Sequence, residues 1–370
     1  MRYAVLSDIH LGHNKTPTTH ICANLKAFLL TKENTNLDAI FIAGDLFDQL
    51  LDLSSSDFYT IVSFCHELLE YCVLNNIELR VLEGTPSHDW QQAKLLLRLN
   101  ELRKKPCSLR YYPVLTIEVD NKLNKTILYI PDEWCHNHKE LEKQIEVQLK
   151  EKALTQVDIA ILHGQFGFQL KPNLKHLFHF EESYFLSLVK GYIHIGHYHN
   201  HRYFDRIIAN GSFDRLAHNE EEDKGYVIVD NNNWRFIVNT DAYIYKTLNF
   251  NKTPQLDKLD KLIYQYPKGS YIRLLVKEDN ELLFNAHLVK ARYCDYHVKI
   301  LPKEKTTEFS HVTHILHNEE MDFPLTHLEV NLYEELYREL HSRFTSNQLD
   351  YGLELIKPLE KAKIELKTLD

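Results

Sequence analysis

The chain reads as an α/β protein. Two sheets are expected to pack face to face as a β-sandwich flanked by helices, with a smaller α/β unit and C-terminal helices after it. Three observations predict this class. Over the first two thirds, short apolar runs rich in β-branched residues alternate with stretches of helical periodicity, the rhythm of right-handed βαβ units. In the middle, strand candidates multiply, and two sheets accommodate their number. The length, 370 residues, is too great for one ordinary core.

The elements follow in order. Residues 2–7 are expected as a strand. Thr19 to Leu30 reads as a helix with Ile21, Leu25, Phe28 and Leu29 on one side. Ala39–Ala43 is a second, fully apolar strand. Ser54-Ser55-Ser56-Asp57 supplies N-cap chemistry for a helix burying Phe58, Ile61, Val62, Cys65, Leu68, Leu69 and Cys72. Glu78–Leu82 is a third strand, and a helix after Asp89 carries Leu95, Leu96 and Leu99. Val114–Val119 and Thr126–Ile130 flank a polar turn and read as a hairpin. Leu141, Ile145 and Leu149 mark an amphipathic helix. Strands are then expected at Asp158–Leu162, Tyr192–Ile195, Arg206–Ala209, Tyr226–Val229 and Arg235–Val238, the last three spaced like a meander. Beyond residue 240, Tyr271–Val276 and His297–Leu301 are strands around a helix near Leu282–Val289. Leu328, Leu332, Leu336, Leu340 and Phe344 recur every four residues on a final helix, facing either the core or a partner. The divisions expected are 1–239, 240–302 and 303–370.

Composition narrows the class. A net charge of −9 means that any nucleic-acid role needs a local basic patch or bound metal ions. Cys22, Cys65, Cys72, Cys107, Cys135 and Cys294 form no CxxC pair, which fits a reduced intracellular compartment better than a disulfide scaffold. No apolar run approaches the roughly 18 residues of a membrane span, and no signal peptide is expected ahead of the first strand. A cytoplasmic location is the expectation.

The chemistry sits after the apolar strands. Strand one is followed by Asp8 and His10, whose side chains at i and i+2 point the same way in extended chain. Strand two runs into Gly44-Asp45-Leu46-Phe47-Asp48, and strand three into Gly84-Thr85-Pro86-Ser87-His88-Asp89. Later strands end in His163-Gly164 and in Gly196-His197-Tyr198-His199. A lone Asp-x-His is more often a cap or turn than a ligand pair; five such endings in order are a different matter. In open α/β sheets ligands gather at the carboxyl ends of the strands. Carboxylates and imidazoles without a thiolate suit manganese, iron or zinc. The donors are too many for one ion and enough for two. Two ions about 3.5–4 Å apart serve phosphoester displacement.

In sequence the series resembles the calcineurin-like metallophosphoesterase superfamily, whose motifs are DxH, GDxxD, GNHD, a lone His after a strand, and GHxH. The resemblance implies that Asp8, His10 and His199 hold one divalent ion, that His163 and His197 hold a second, and that Asp45 bridges both. It implies His88 as the catalytic imidazole that steadies the leaving oxygen, with Asp48 and Asp89 orienting the ligands. One motif departs. His88-Asp89 is intact, but Ser87 replaces the asparagine, and Thr85-Pro86 stand between the glycine and that position. Ser87 or a water is then expected to complete the second ion's shell, and that ion to bind more loosely than the first.

Asn210-Gly211-Ser212-Phe213-Asp214-Arg215 and Glu220-Glu221-Glu222-Asp223-Lys224-Gly225 are similar to the segment after GHxH in SbcD-type nucleases, the bacterial and phage branch of the meiotic-recombination-eleven family. That resemblance covers about residues 1–240. It implies a manganese-dependent DNA exonuclease and single-strand endonuclease of repair or recombination, with magnesium, iron or zinc as other candidate ions. It further implies a small capping domain that helps bind DNA, C-terminal docking on an SbcC-type coiled-coil ATPase, and a homodimer. A phage member fits the compact size; its location would be the host cytoplasm. Arg202, Arg206 and Arg215 are candidate phosphate contacts, with solvated loop charges as the plain alternative. Two rivals stand beside the nuclease: a small-substrate phosphodiesterase or phosphatase on the same site, and a weakly catalytic scaffold binding DNA ends.

Overall fold

The structure is a computed structural model that describes residues 1–132, 137–170, 174 and 178–303. The stripe from Leu328 to Phe344 and Cys135 lie outside the described residues. Met1–Lys303 forms one compact unit.

The first part alternates as its apolar runs require. The chain begins with β1 (Arg2–Leu6), α1 (Thr18–Phe28), β2 (Ala39–Ala43) and α2 (Ser56–Asn75). Ser55 caps α2 by accepting the Asp57 N–H, and Asn76 ends it in left-handed conformation. Then come β3 (Glu78–Leu82), α3 (Pro86–Asp89), α4 (Lys94–Glu101) and β4 (Leu109–Tyr112). The middle supplies β5 (Thr116–Asp120), β6 (Lys125–Ile130), α5 (His138–Glu151), β7 (Ile159–His163), α6 (Glu182–Leu188), β8 (Ile193–Gly196), β9 (Arg202–Phe204) and β10 (Ile207–Ala209). It closes with β11 (Gly225–Asp230) and β12 (Asn233–Val238). The last part holds β13 (Tyr245–Asn249), α7 (Leu256–Ile263), β14 (Tyr271–Val276), α8 (Glu281–Phe284), α9 (Ala286–Arg292) and β15 (His297–Pro302).

Two six-stranded mixed sheets result, ordered β12-β11-β1-β2-β3-β4 and β5-β6-β7-β8-β10-β9, with a third sheet β13-β14-β15. In the first, β1 to β4 run parallel. In the second, β6, β7, β8 and β10 do so. Alternation along each strand sorts its side chains between two cores. From β1, Tyr3 and Val5 enter a shared core with Phe41, Tyr129, Ile161, Ile208 and Val227, contributed by both sheets. Ala4 and Leu6 face the outer core under α1 and α2. The second sheet's outer face packs Leu128, Leu162, Ile193 and Ile195 against Leu141, Ile145 and Phe185 of its helices. Strands covered on both faces read as unbroken apolar runs, which is why β2 and β7 were legible.

The expected meander is not formed. β10 pairs in parallel with β8 in the second sheet, while β11 and β12 add antiparallel to β1 in the first. Ile207 faces the outer core of its sheet and Ile208 the shared core, so the chain crosses between layers before Gly225. β9, a three-residue exposed edge, and β4 carry little periodicity and escaped notice. In the third sheet, β13 and α7 extend the expected βαβ unit at its start. That sheet has its own core of Leu259, Ile263, Ile272, Leu274 and Val289. Hydrogen bonds fasten it to the rest: Thr16 Oγ1 to the Tyr245 hydroxyl at 3.0 Å and Lys246 Nζ to Glu221 at 2.6 Å. Among the described residues no helix is long and apolar enough to cross a membrane.

Buried polar groups tie the two large sheets together. Arg80 of β3, 1% exposed, meets Glu78 at 2.7 Å, Asp120 at 2.5 Å and Glu118 at 3.4 Å. On β8, His194 lies fully buried against the Tyr3 hydroxyl at 3.3 Å and Asn210 Oδ1 at 3.2 Å. Burial lowers this imidazole to about 4 despite its hydrogen bond with Asn210. Its folded value lies below its unfolded one, so the unfolded chain binds the extra proton. Its contribution is full above about pH 6.5 and is lost as pH falls toward 4. His194→Gln should therefore reduce the loss of stability between pH 7 and pH 4 by on the order of 2–3 kcal/mol. Denaturant melts of both proteins at the two pH values check this, and equal losses would refute it.

Candidate metal centre

The carboxyl ends of β1, β2, β3, β7 and β8 meet at one end of the paired sheets. The loops after β1 and β2 are zipped by their backbones: the Asp8 N–H donates to the Gly44 carbonyl at 3.2 Å and Ile9 N–H to Asp45 O at 2.8 Å. Asp8, His10 and Asp45 have φ near +50°, and His197 has φ +91°. Left-handed backbone at a non-glycine residue costs about 1–3 kcal/mol and gathers at functional sites. It also corrects one expectation. Asp8 and His10 lie beyond the end of β1 and reach the same place through two left-handed kinks, not through alternation along extended chain. Gly44, at φ +84°, lets the chain pass close: a Cβ there would stand 2.1 Å from His163 Nδ1.

Three sets of side chains converge so closely that each could hold a metal ion. Asp8, His10 and His199 form one; Asp45, His163 and His197 form another; His10, Asp45 and His88 link them. Within each set the donor atoms lie within 4.8 Å of one another. The first will be called the first position and the second the second position.

Hydrogen bonds aim these donors inward. His10 places Nδ1 on Asp48 Oδ1 at 3.0 Å, and His199 places Nδ1 on Glu220 Oε1 at 2.6 Å. Each ring thus donates outward, and the two Nε2 atoms face each other at 3.2 Å. A proton on one of them satisfies the pair when His10 is charged; with both rings neutral, two lone pairs turn to one point and suit a cation there. Asp8 Oδ1 accepts the His197 N–H at 2.8 Å, while its Oδ2 is buried with no hydrogen-bond partner among the described residues. A buried oxygen without a donor is costly unless a cation satisfies it. His163 donates from Nδ1 to the Ala43 carbonyl at 2.7 Å, leaving Nε2 3.3 Å from Asp45 Oδ2. Carboxylate and imidazole donors without thiolate are the chemistry of a hard or borderline divalent ion, and the residues fit one.

The electrostatics agree. Burial works against charge on His10, yet the Asp48 hydrogen bond and the charges of Asp45, Asp48 and Asp8 lift it to about 9. Burial likewise opposes charge on His163, and Asp45 overrides it, raising the imidazole well above its ordinary value. Burial would raise Asp45, but His163 and His10 hold it well below the carboxylate range. The cluster attracts positive charge. His197 is lowered, by burial first and by His163 beside it.

Asp89 accepts from Phe47 N at 2.9 Å and Gly84 N at 2.7 Å, so it fastens the Asp45 loop to the Thr85 loop. Burial and the Asp45 charge push its carboxyl up. His88 donates from Nδ1 to the Asp48 carbonyl at 2.6 Å and lies edge-on to His10, ring centres 4.9 Å apart.

Ser87 is not brought to the cluster. It lies exposed on α3, where its carbonyl accepts the Trp90 indole N–H at 2.6 Å. The hydroxyl that stands among the ligands belongs to Thr85, 3.2 Å from Asp45 Oδ2, 3.4 Å from His163 Nε2 and 3.3 Å from His197 Nδ1. Counting from Gly84, not back from His88, gives Thr85: Pro86 and Ser87 are the extra residues of the motif, and they open the helix. Asp132 and Glu220 were also missed. Asp132 follows β6 as the other ligands follow their strands, and its Oδ2 is 3.7 Å from His197 Nδ1. Glu220 stands in the segment that carries the family resemblance, but nothing there singles it out from Glu221 and Glu222.

The three arginines divide. Arg206 lies at the amino end of β10, the end of the sheet away from the cluster, and spends its guanidinium on the carbonyls of Leu186, Val189 and Gly191. Arg215 donates to the carbonyls of Glu222, Ala242 and Tyr243, a brace to the third sheet. Neither guanidinium is turned to a ligand. Arg202 is exposed on β9, opposite Ala209 at the cluster's end.

No family model matches the chain, and no curated protein does. Among solved structures it is similar to TT1561 of Thermus thermophilus, with a TM-score of 0.40 and 10% identity over 64% of this chain and 98% of that one. A second crystal structure gives a TM-score of 0.39 and 10% identity over 65% and 99%. Fold and site define the chain by themselves: a mixed α/β protein with aspartate and histidine sets suited to metal ions.

Glu220 accepts from Leu216 N at 3.1 Å and meets the buried Lys224, whose Nζ donates to the His199 carbonyl at 2.9 Å. His199 is thus held by ring and backbone at once. Glu220→Gln should weaken divalent-ion binding by roughly 10–100-fold, as removal of such outer partners does. Calorimetric titration with manganese(II) reads this, and an unchanged affinity would count against the orienting role.

Proposed function

We propose that this chain is a two-metal phosphodiesterase of the calcineurin-like class and, within it, an SbcD-type DNA nuclease subunit. One observation carries the reading: five strand ends deliver three donor sets that share His10 and Asp45. A shared carboxylate between two sets is the layout a paired-ion site needs. Bound there, two divalent ions, manganese first, would supply Lewis acidity to a phosphoryl oxygen and to the attacking water.

The chain's own groups do the rest. Asp45 holds the two sets at a fixed separation. Asp48 and Glu220 keep the Nε2 lone pairs of His10 and His199 turned inward. With Nδ1 committed to the Asp48 carbonyl, His88 has Nε2 left to place a proton on the departing sugar oxygen. The nuclease reading is supported by the residues that carry the SbcD resemblance. Ser212 N donates to the His199 carbonyl at 3.0 Å, and Glu220 and Lys224 grip the same histidine. The resemblance pattern is therefore built around the site. DNA as substrate, an SbcC-type ATPase and a second copy of the chain as partners, and exonuclease with single-strand endonuclease activity belong to this proposal. Of the three arginines, only Arg202 remains a candidate phosphate contact.

Purified chain with manganese should degrade linear and single-stranded DNA. Hydrolysis of a chromogenic phosphodiester alone would favour a small-substrate enzyme. No DNA cleavage, even beside the ATPase, would favour a scaffold. His88→Ala should cut turnover by about 10²–10⁴-fold, the span of general acid catalysis, and leave manganese affinity nearly unchanged. A parallel loss of metal would make His88 a ligand instead.

A further inference from the structure

We propose that the second position is completed by the hydroxyl of Thr85, which stands in the motif's asparagine place, and by the carboxylate of Asp132, which lies outside the motifs. The inference rests on the metal-centre reading above and concerns which of this chain's groups face the second ion.

Thr85 occupies the N-cap place of α3, where a threonine hydroxyl ordinarily accepts a helix N–H. Here it makes no side-chain cap hydrogen bond. It turns instead into the ligand set, within 3.2–3.4 Å of Asp45 Oδ2, His163 Nε2 and His197 Nδ1. Its N–H meanwhile donates to Asp45 Oδ1 at 2.6 Å, which fixes the threonine against the shared carboxylate. Gly84 permits the approach: a Cβ there would stand 2.1 Å from Asp45 N and 2.2 Å from its Oδ1. A hydroxyl is a neutral and weak donor, so a set of Asp45, His163, His197 and Thr85 is poor in negative charge. Asp132 supplies it. The residue follows β6 after Pro131 alone, at the carboxyl end of a strand that pairs with β7, the strand of His163. Its side chain is 12% exposed, and Oδ2 lies 3.7 Å from His197 Nδ1, the atom that Thr85 also approaches. Carboxylate, hydroxyl and carboxylate against two imidazoles make a harder donor set than one with an amide, suited to manganese or magnesium over softer ions.

The test is calorimetric titration of the full chain with manganese(II) chloride, with bound metal counted by elemental analysis. The wild-type chain should show two steps. Thr85→Val and Asp132→Asn should each weaken the second step at least about tenfold, or reduce the count from two ions to one. The first step, held by Asp8, His10 and His199, is the control for folding. Thr85→Ser and Asp132→Glu should retain the second step, and Ser87→Ala should leave both unchanged. An undisturbed second step in Thr85→Val or Asp132→Asn overturns the assignment of that residue. A wild-type chain that binds no manganese sinks the metal-centre reading itself, a result distinct from these.

Discussion

The structure depends on keeping one carboxylate charged inside protein. Asp45 is 2% exposed and sits where the ends of two sheets meet. An ionised carboxylate so buried persists only if its neighbours satisfy it. Thr85 N–H and hydroxyl, His163 and His10 all turn to it. Each comes from a different strand end, so satisfying Asp45 and assembling the site are the same act. The left-handed turns at Asp8, His10 and Asp45, and the glycines beside them, are the local cost of bringing five chain segments within reach of one group.

Elsewhere the sheets are tied by a second polar knot. Arg80 is ringed by Glu78, Glu118 and Asp120, and Tyr112 stacks on Tyr129 with ring centres 3.7 Å apart. Arg80 and Tyr112 belong to the first sheet, Glu118, Asp120 and Tyr129 to the second. A buried pair adds little net stability, but its partners can be met in one register only. Apolar residues alone would let the layers slide.

Much of this was legible because the physics is local. β1, β2, β3 and β7 are buried on both faces, so they appear as apolar runs, and the residue after each run falls at the site. Where legibility failed, the cause was non-local. Ile207-Ile208-Ala209 looks like the first strand of a meander, yet which sheet it joins is decided by packing against β8. Arg206 and Arg215 look like free cations until the carbonyls that they cap are in place. Ser87 is a candidate beside a water because it precedes His88; the backbone, turning at Gly84, hands the position to Thr85 and uses Pro86 and Ser87 to start a helix. Asp132 obeys the strand-end rule that the other site residues follow, but its strand reads in sequence as half of a hairpin.

The two halves of the cluster are not built alike. At the first position both imidazoles rest their outer nitrogen on a carboxylate, Asp48 for His10 and Glu220 for His199. A negative charge there raises the basicity of the inner nitrogen. At the second position His163 rests on the neutral Ala43 carbonyl, and His197 turns Nδ1 toward Thr85 and Asp132. The first set is therefore fixed by charges behind it, the second by groups within it. An ion at the first position finds a preformed shell of strong donors. An ion at the second would meet in His197 an imidazole lowered by burial and would draw more on the shared Asp45, so changes in that loop should be felt there before they are felt at the first position.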